Sequence, residues 1–183
     1  MRADRGWLVL AGQTLAIAAV GVLAGILTWR LTHQPPAPRV GQRAPAFSLE
    51  RLNGSGTVSP ATLRGKTVVL NFFASWCGPC KQEAPVLEQV WRDYRSRGVV
   101  VLGIDTNDEA SDARRFLSAR GVTYPTVGGA GYGLLEKYGI ANLPGTYVLN
   151  GDGRLVGGLI LGTVSEQAAS QELDRYLHAA LKS

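Results

Sequence analysis

Cysteine and histidine are scarce in this chain, with two of each among 183 residues. Both cysteines fall within one pentapeptide, Trp76-Cys77-Gly78-Pro79-Cys80, and the histidines, His33 and His178, lie far from it. A structural zinc site needs about four nitrogen or sulfur ligands at recurrent spacings, and no second cysteine pair exists to complete one. A purely structural disulfide is equally poorly supported, because closing so short a loop removes little chain entropy. Charge is sparse as well. The formal net charge is +5, and beyond residue 34 it falls to +3, from 16 Lys and Arg against 13 Asp and Glu. Without a dense basic tract there is no electrostatic footprint for nucleic acid. Internal repeats and low-complexity tracts are also missing.

One long apolar run is present at the front. Residues 6–29 carry no charge, and residues 7–28 are apolar apart from Gln13, Thr14 and the closing Thr28. Trp7 and Trp29 are separated by about 33 Å of helix, close to the thickness of a bilayer core, and tryptophan suits both interfaces. The competing reading is a cleaved signal peptide. The run is too long for a signal h-region, however, and it passes into Trp29-Arg30-Leu31 with no small-x-small site directly after it. No cysteine is available there for lipid attachment. The expected organisation is a cytoplasmic stub (1–6), a transmembrane anchor held in the lipid bilayer (7–29), a tether containing Pro35, Pro36 and Pro38 (30–43) and a folded domain (44–183). Arg2, Arg5 and the terminal amine on one side balance Arg30, Arg39 and Arg43 on the other, so charge alone does not orient the anchor.

Within the domain, residues 67–73 form an apolar run that reads as a buried strand leading into the cysteine motif. Residues 77–94 read as a helix. With Cys77 at zero and ~100° per residue, Cys80, Glu83, Leu87, Val90, Trp91 and Tyr94 share one face. Lys81, Gln82, Glu88, Gln89, Arg92, Asp93 and Arg95 fall on the other. Pro85 inside this pattern is expected to kink the helix rather than end it; Val86 departs from the apolar face.

That geometry assigns chemistry. Cys77 lies at the helix N-terminus and at the edge of the apolar face, reachable by another protein, where unsatisfied N–H groups and the dipole favour its thiolate. Cys80, one turn later, points toward the core yet is close enough to form a disulfide. Cys77 then attacks a substrate disulfide and Cys80 resolves the mixed disulfide. Glu83 is a carboxylate on the buried side next to Cys80. Burial raises its pKa, which suits it to accept the Cys80 proton; the alternative is a solvated helix charge.

Trp76-Cys77-Gly78-Pro79-Cys80-Lys81 with Pro85 resembles the active-site helix of the thioredoxin superfamily. From Gly41 onward the chain resembles the membrane-anchored, periplasm-facing ResA, TlpA and CcmG branch. Supporting matches are Val68-Val69-Leu70-Asn71-Phe72-Phe73, Lys81-Gln82-Glu83, Tyr138-Gly139-Ile140 and Leu143-Pro144-Gly145-Thr146-Tyr147. The resemblance implies an α/β thioredoxin fold, a central mixed sheet flanked by helices, with an N-terminal hairpin and a central insertion. It implies a cis Pro144 beside the sulfurs that exposes the Leu143 backbone to an extended substrate chain. The alternative is an ordinary trans turn proline. Trp76, Gly78, Pro79, Leu143 and Pro144 would thus form the substrate-contacting surface, with Trp76 packed beside the sulfurs and Gly145 widening the patch. Asn71 stands where cytosolic thioredoxins keep a buried acid, and in the ResA-like branch a glutamate matching Glu83 takes that role.

The remaining segments fit this frame. Ala44-Pro45-Ala46-Phe47-Ser48-Leu49 resembles an opening shared with peroxiredoxins, and the turn at Asn53-Gly54-Ser55-Gly56 reads as the added hairpin. Residues 99–104 read as a second buried parallel strand, and residues 108–120 as a helix. Residues 122–138 hold a short strand and a short helix. Residues 145–149 and 154–161 form an antiparallel hairpin, and Thr163 with Glu166 reads as a capping box for a final helix to about residue 181.

The function expected is that of a membrane-tethered enzyme, a thiol–disulfide oxidoreductase whose domain faces the periplasm. Disulfides persist as substrates there. Gly78-Pro79 resembles thioredoxin itself and favours a reductant. Partners implied are disulfide-containing exported proteins, including apocytochrome c, and a transmembrane thiol reductant of the DsbD or CcdA type. No metal and no cofactor beyond the cysteine pair is called for. Alternatives are a disulfide-forming oxidase, a non-catalytic redox-sensing module and a thiol peroxidase. The last requires a Pro-x-x-x-Thr-x-x-Cys setting, and Ala74 stands where that threonine would be.

Overall fold

The computed structural model describes residues 4–32 and 36–182, with side chains described for residues 12–29 and 36–182. The expectations placed on Arg2, on His33 and Pro35 in the tether, and on the side chains of Arg5, Trp7 and Arg30 lie outside the described residues. The chain divides into two compact units, Met1–Pro35 and Pro36–Ser183.

The first unit is one helix, α1 (Asp4–Thr32). Its segment Gly12–Trp29 is long and apolar enough to cross a membrane, by length and composition.

The second unit is built on a seven-stranded mixed sheet. Its strands are β1 (Leu49–Arg51), β2 (Thr57–Val58), β3 (Thr67–Phe73), β4 (Val99–Thr106), β5 (Thr126–Ala130), β6 (Gly145–Leu149) and β7 (Ile160–Leu161), in spatial order β2-β1-β5-β4-β3-β6-β7. β3, β4 and β5 run parallel, while β6, β7 and the β1–β2 hairpin are antiparallel. Every residue of β3 and β4 is buried, as expected for central parallel strands covered on both faces.

Four helices cover the sheet: α2 (Gly78–Tyr94), α3 (Ala110–Ala119), α4 (Tyr132–Tyr138) and α5 (Gln167–Ala180). Alternate strand residues point to opposite faces, and the core accordingly splits in two. Val69, Phe73 and Val101 pack with Leu87 of α2, Phe116 of α3 and Leu177 of α5. Leu70, Phe72 and Ile104 pack with Leu135 and Tyr138 of α4. The two-period and 3.6-period patterns thus converge on one sandwich, with β3, flanked by β4 and β6, feeding directly into the cysteine motif.

Four local expectations are corrected. α3 begins at Ala110 rather than 108, because the Asp108 carboxylate is already bonded to the backbone N–H of Ser75 and of Glu109. The strand expected over 154–161 is reduced to a Leu155–Leu149 bridge and β7, since Gly157 passes directly against the Tyr176 ring of α5, where a Cβ would collide. No capping box opens α5. Thr163 Oγ1 accepts the Ser165 N–H instead, and Glu166 occupies the N-cap without a side-chain bond. On α2, Glu88 is buried rather than on the solvated face.

Candidate active site

β3 ends at Phe73, the chain turns through Ala74, Ser75 and Trp76, and Cys77 becomes the N-cap of α2 with extended backbone (φ −75°, ψ 113°). Its Sγ accepts the Cys80 N–H at 3.2 Å, so the sulfur takes one of the orphan donors of the first turn. Cys77 and Cys80 are joined as a disulfide, with Cα atoms 5.3 Å apart. The helix runs through Pro85 without ending.

Both sulfur-bearing residues are well covered: Cys77 is 5 % exposed and Cys80 1 %. Access comes through a cleft of about 350 Å³ that Cys77 lines and Cys80 does not. Trp76, Gly78, Pro79 and Leu143 line the same cleft, so four of the five residues expected to contact substrate are brought together around Cys77. Pro144 is not among the lining residues; it is buried at the entry to β6, and the Leu143–Pro144 peptide is cis. Trp76 lines this cleft with Cys77 and is 60 % exposed, with its indole Nε1 donating to the Asn107 carbonyl at 3.2 Å. One expectation about this surface fails. Gly145 opens no patch, because a Cβ there would already press on Ile140 and Leu159.

Glu83 sits one turn beyond Cys80 on the buried face and is 1 % exposed. Its Oε2 accepts the Asn71 side-chain amide at 2.7 Å, and its Oε1 accepts the Val164 N–H at 3.1 Å. Burial pushes its carboxyl up to about 7, against the opposing pull of the Val164 and Asn71 bonds. Asn71, itself held by Thr146 Oγ1 at 3.0 Å, therefore orients the acid. A carboxyl poised near neutrality exchanges a proton readily at physiological pH.

Several neighbours escape a reading based on periodicity. Tyr132 and Asn142 line the cleft, Asp108 holds the Ser75 N–H, and Asp105 is buried at the end of β4. The signal for Asp105 is present but easily passed over: an acid closing an apolar run, Val99-Val100-Val101-Leu102-Gly103-Ile104-Asp105. Among the described residues, no group of three or more His, Cys, Asp or Glu is placed to hold a metal.

A Cys-x-x-Cys disulfide at the head of a helix, fed by a central parallel strand and flanked by a cis-proline, defines a thiol–disulfide oxidoreductase of thioredoxin fold. The chain belongs to the AhpC/TSA family, whose sequence profile matches residues 40–157. It is 32 % identical to the thiol-disulfide oxidoreductase ResA of Bacillus subtilis strain 168 over 126 residues, 69 % of each chain. It is 33 % identical to the thioredoxin-like protein YneN of the same organism over 159 residues, covering 84 % of this chain and 92 % of that one. A crystal structure from Chlorobium tepidum, assigned as a thiol:disulfide interchange protein DsbE, superposes with TM-score 0.71 at 27 % identity, over 79 % of this chain and 99 % of its own. The enzyme is thus of the ResA/DsbE type, as the motif residues had indicated.

Proposed function

We propose that this chain is a membrane-tethered reductant of disulfides in exported proteins, its domain held on the extracytoplasmic side by residues 7–29. The observation that carries the reading is the asymmetry of the two sulfurs: Cys77 lines an open cleft at a helix N-cap, and Cys80 lies beneath it beside a carboxyl near neutrality. In the reduced enzyme the Cys77 thiolate attacks a substrate disulfide. One new S–S bond forms to Cys77, and one substrate thiolate leaves. Glu83 then accepts the Cys80 proton, Cys80 attacks Cys77 Sγ, and the second substrate thiolate departs as the Cys77–Cys80 disulfide forms. Two electrons pass from the dithiol to the substrate with no further cofactor.

Trp76, Gly78, Pro79 and Leu143 border the substrate chain, and the backbone before cis-Pro144 pairs with it. A transmembrane thiol reductant of the DsbD or CcdA type regenerates the dithiol, and apocytochrome c is one of its exported substrates. The tether raises the effective concentration of these membrane-held partners. The test uses the full-length chain: Cys80→Ala traps a mixed disulfide through Cys77, whereas Cys77→Ala traps none. Equal trapping by both variants overturns the assignment. The equilibrium potential of the pair against glutathione separates reductant from oxidase, a reductant lying well below the glutathione couple.

A further inference from the structure

Residues 105–108, at the end of β4, gather several departures from regular structure. β4 and β5 lose register there: Ile104 pairs with Val127, but Thr106 pairs with Ala130, so Gly128 and Gly129 form a bulge in β5 opposite the single residue Asp105. Asp105 is 1 % exposed, and its Oδ1 has no hydrogen-bond partner among the described residues. Asn107 is the only non-glycine residue described at positive φ (51°), a conformation that asparagine tolerates but that is still sparsely populated. Asp108 turns back on the motif, its Oδ2 accepting the Ser75 N–H at 2.6 Å and its Oδ1 accepting the Glu109 N–H at 3.0 Å.

The same residues hold the turn that delivers Cys77. Thr106 Oγ1 donates to the Phe73 carbonyl at 3.1 Å, Ser75 donates to Asp108, and the Trp76 indole donates to the Asn107 carbonyl. A bulge in the facing strand, a left-handed residue and a buried acid with one partnerless oxygen, all at one four-residue segment, call for an explanation.

We propose that Asp105 and Asp108 share one proton, and that this pair is a positioning device that fixes Ser75 and Trp76 ahead of Cys77. Asp108 already gives both oxygens to backbone donors, and the shared proton resides on buried Asp105. Burial first, and the charge of Asp108 second, push the Asp105 carboxyl up to about 8. Surrounding elements do not neutralise the pair. β3 and β5 bring no charged side chain. On α3, Asp112 is ion-paired with Arg115 at 2.8 Å, and Arg114 donates to the Leu52 carbonyl. α2 brings Lys81, which forms no ion pair with either carboxylate, and Glu83, which is bonded to Asn71 and Val164. Loss of the proton puts a charge on buried Asp105, weakens the Ser75 anchor and adds negative charge near Cys77. Each of these slows attack by its thiolate.

The inference rests on Cys77 as the attacking sulfur. Its test is the rate at which the reduced full-length chain in detergent reacts with iodoacetamide from pH 6 to 10, with the modified site mapped by mass spectrometry. The wild-type rate rises as Cys77 ionises and then falls below a single-ionisation curve near pH 8. Asp105→Asn keeps a donor but has no proton to lose. It follows the simple curve and overtakes the wild type about threefold at pH 9, whereas Asp105→Leu is about tenfold slower at pH 7. Superimposable profiles for the wild type and Asp105→Asn overturn the proposal. Carbon-13 titration of the wild-type aspartates needs no variant: one coupled pair, its upper step far above the ordinary carboxylate range, is expected. Ordinary titration of every aspartate overturns the proposal as well. That second readout does not depend on which cysteine attacks, so failure of the sulfur assignment and failure of the shared proton are told apart.

Discussion

Glu83 and Glu88 stand five residues apart on α2, both hidden from solvent, and their acidities move in opposite directions. Glu83 receives two hydrogen bonds, from Asn71 and Val164, and burial outweighs them, so its carboxyl rises to about 7. For Glu88 burial is again the largest influence and again pushes upward. It is outweighed by the Thr123 N–H at 2.7 Å, the Thr123 hydroxyl at 2.6 Å, the Arg92 guanidinium at 2.8 Å and the Tyr124 N–H at 3.3 Å, and its carboxyl ends below the ordinary range. Concealment alone therefore decides nothing about a carboxyl. The number and charge of the donors aimed at it decide whether it stores a proton or anchors a loop.

Removing the anchor gives the largest expected effect. Glu88→Ala leaves the Thr123 and Tyr124 donors unpaired and is expected to lower unfolding stability by about 3 kcal/mol, measured by denaturant titration of the full-length chain in detergent. Disulfide exchange by the surviving folded fraction stays unchanged. Because the Glu88 pKa is depressed in the fold, its contribution is present above the unfolded value and is lost as pH falls through the folded one. If Glu88→Ala matches the wild type in stability, the two acids are not distinct in kind.

Glu83 works with the opposite sign. Its folded pKa of about 7 exceeds the ordinary 4.5, so the folded state binds its proton more tightly. Its stabilising contribution is complete below the unfolded value and is lost by about 3 kcal/mol as pH rises through neutrality. Comparing stabilities at pH 5 and pH 8 for the wild type and Glu83→Gln isolates this contribution, and the variant is expected to lack that part of the slope. The same substitution removes the proton acceptor for Cys80. Resolution of a preformed mixed disulfide is expected to slow about 100-fold, followed by stopped-flow release of substrate thiol, while capture by Cys77 stays near the wild-type rate. Equal slowing of both steps would place Glu83 outside the resolution chemistry. The smallest effect belongs to Arg92→Ala. The Arg92 side chain is more than half exposed, so loss of its ion pair with Glu88 is expected to cost under about 1 kcal/mol. A larger loss would mean that Arg92, not the Thr123 and Tyr124 donors, holds the anchor.

Legibility in the sequence followed the range of the interactions. β3, β4 and α2 were readable because apolar runs and a 3.6-residue period report burial from near neighbours alone. The same wheel put Glu83 inside and Glu88 outside. Glu88 was misplaced because its partners arrive from Thr123 and Tyr124, 35 and 36 positions away, and carry no trace in the helix pattern. Asp105 was passed over for a similar reason: only the bulge in β5 and the return of Asp108 give it a role. The capping box at Thr163 failed because the local spacing was right but the hydroxyl found a nearer donor in Ser165.

The order of residues alone determined that Cys77 opens a helix, that Cys80 lies one turn inside it, and that an apolar segment of membrane-spanning length precedes the domain. Each of these follows from contacts within a few positions along the chain. Tertiary structure decided what those residues can do. Val164 reaches Glu83 from 81 positions away, the segment around Leu143 closes one wall of the cleft over Cys77, and Asp108 clasps Ser75 from the far end of a neighbouring strand. The affinity of a buried group for a proton is a sum over all the dipoles and charges around it, and most of those arrive only when distant segments fold together.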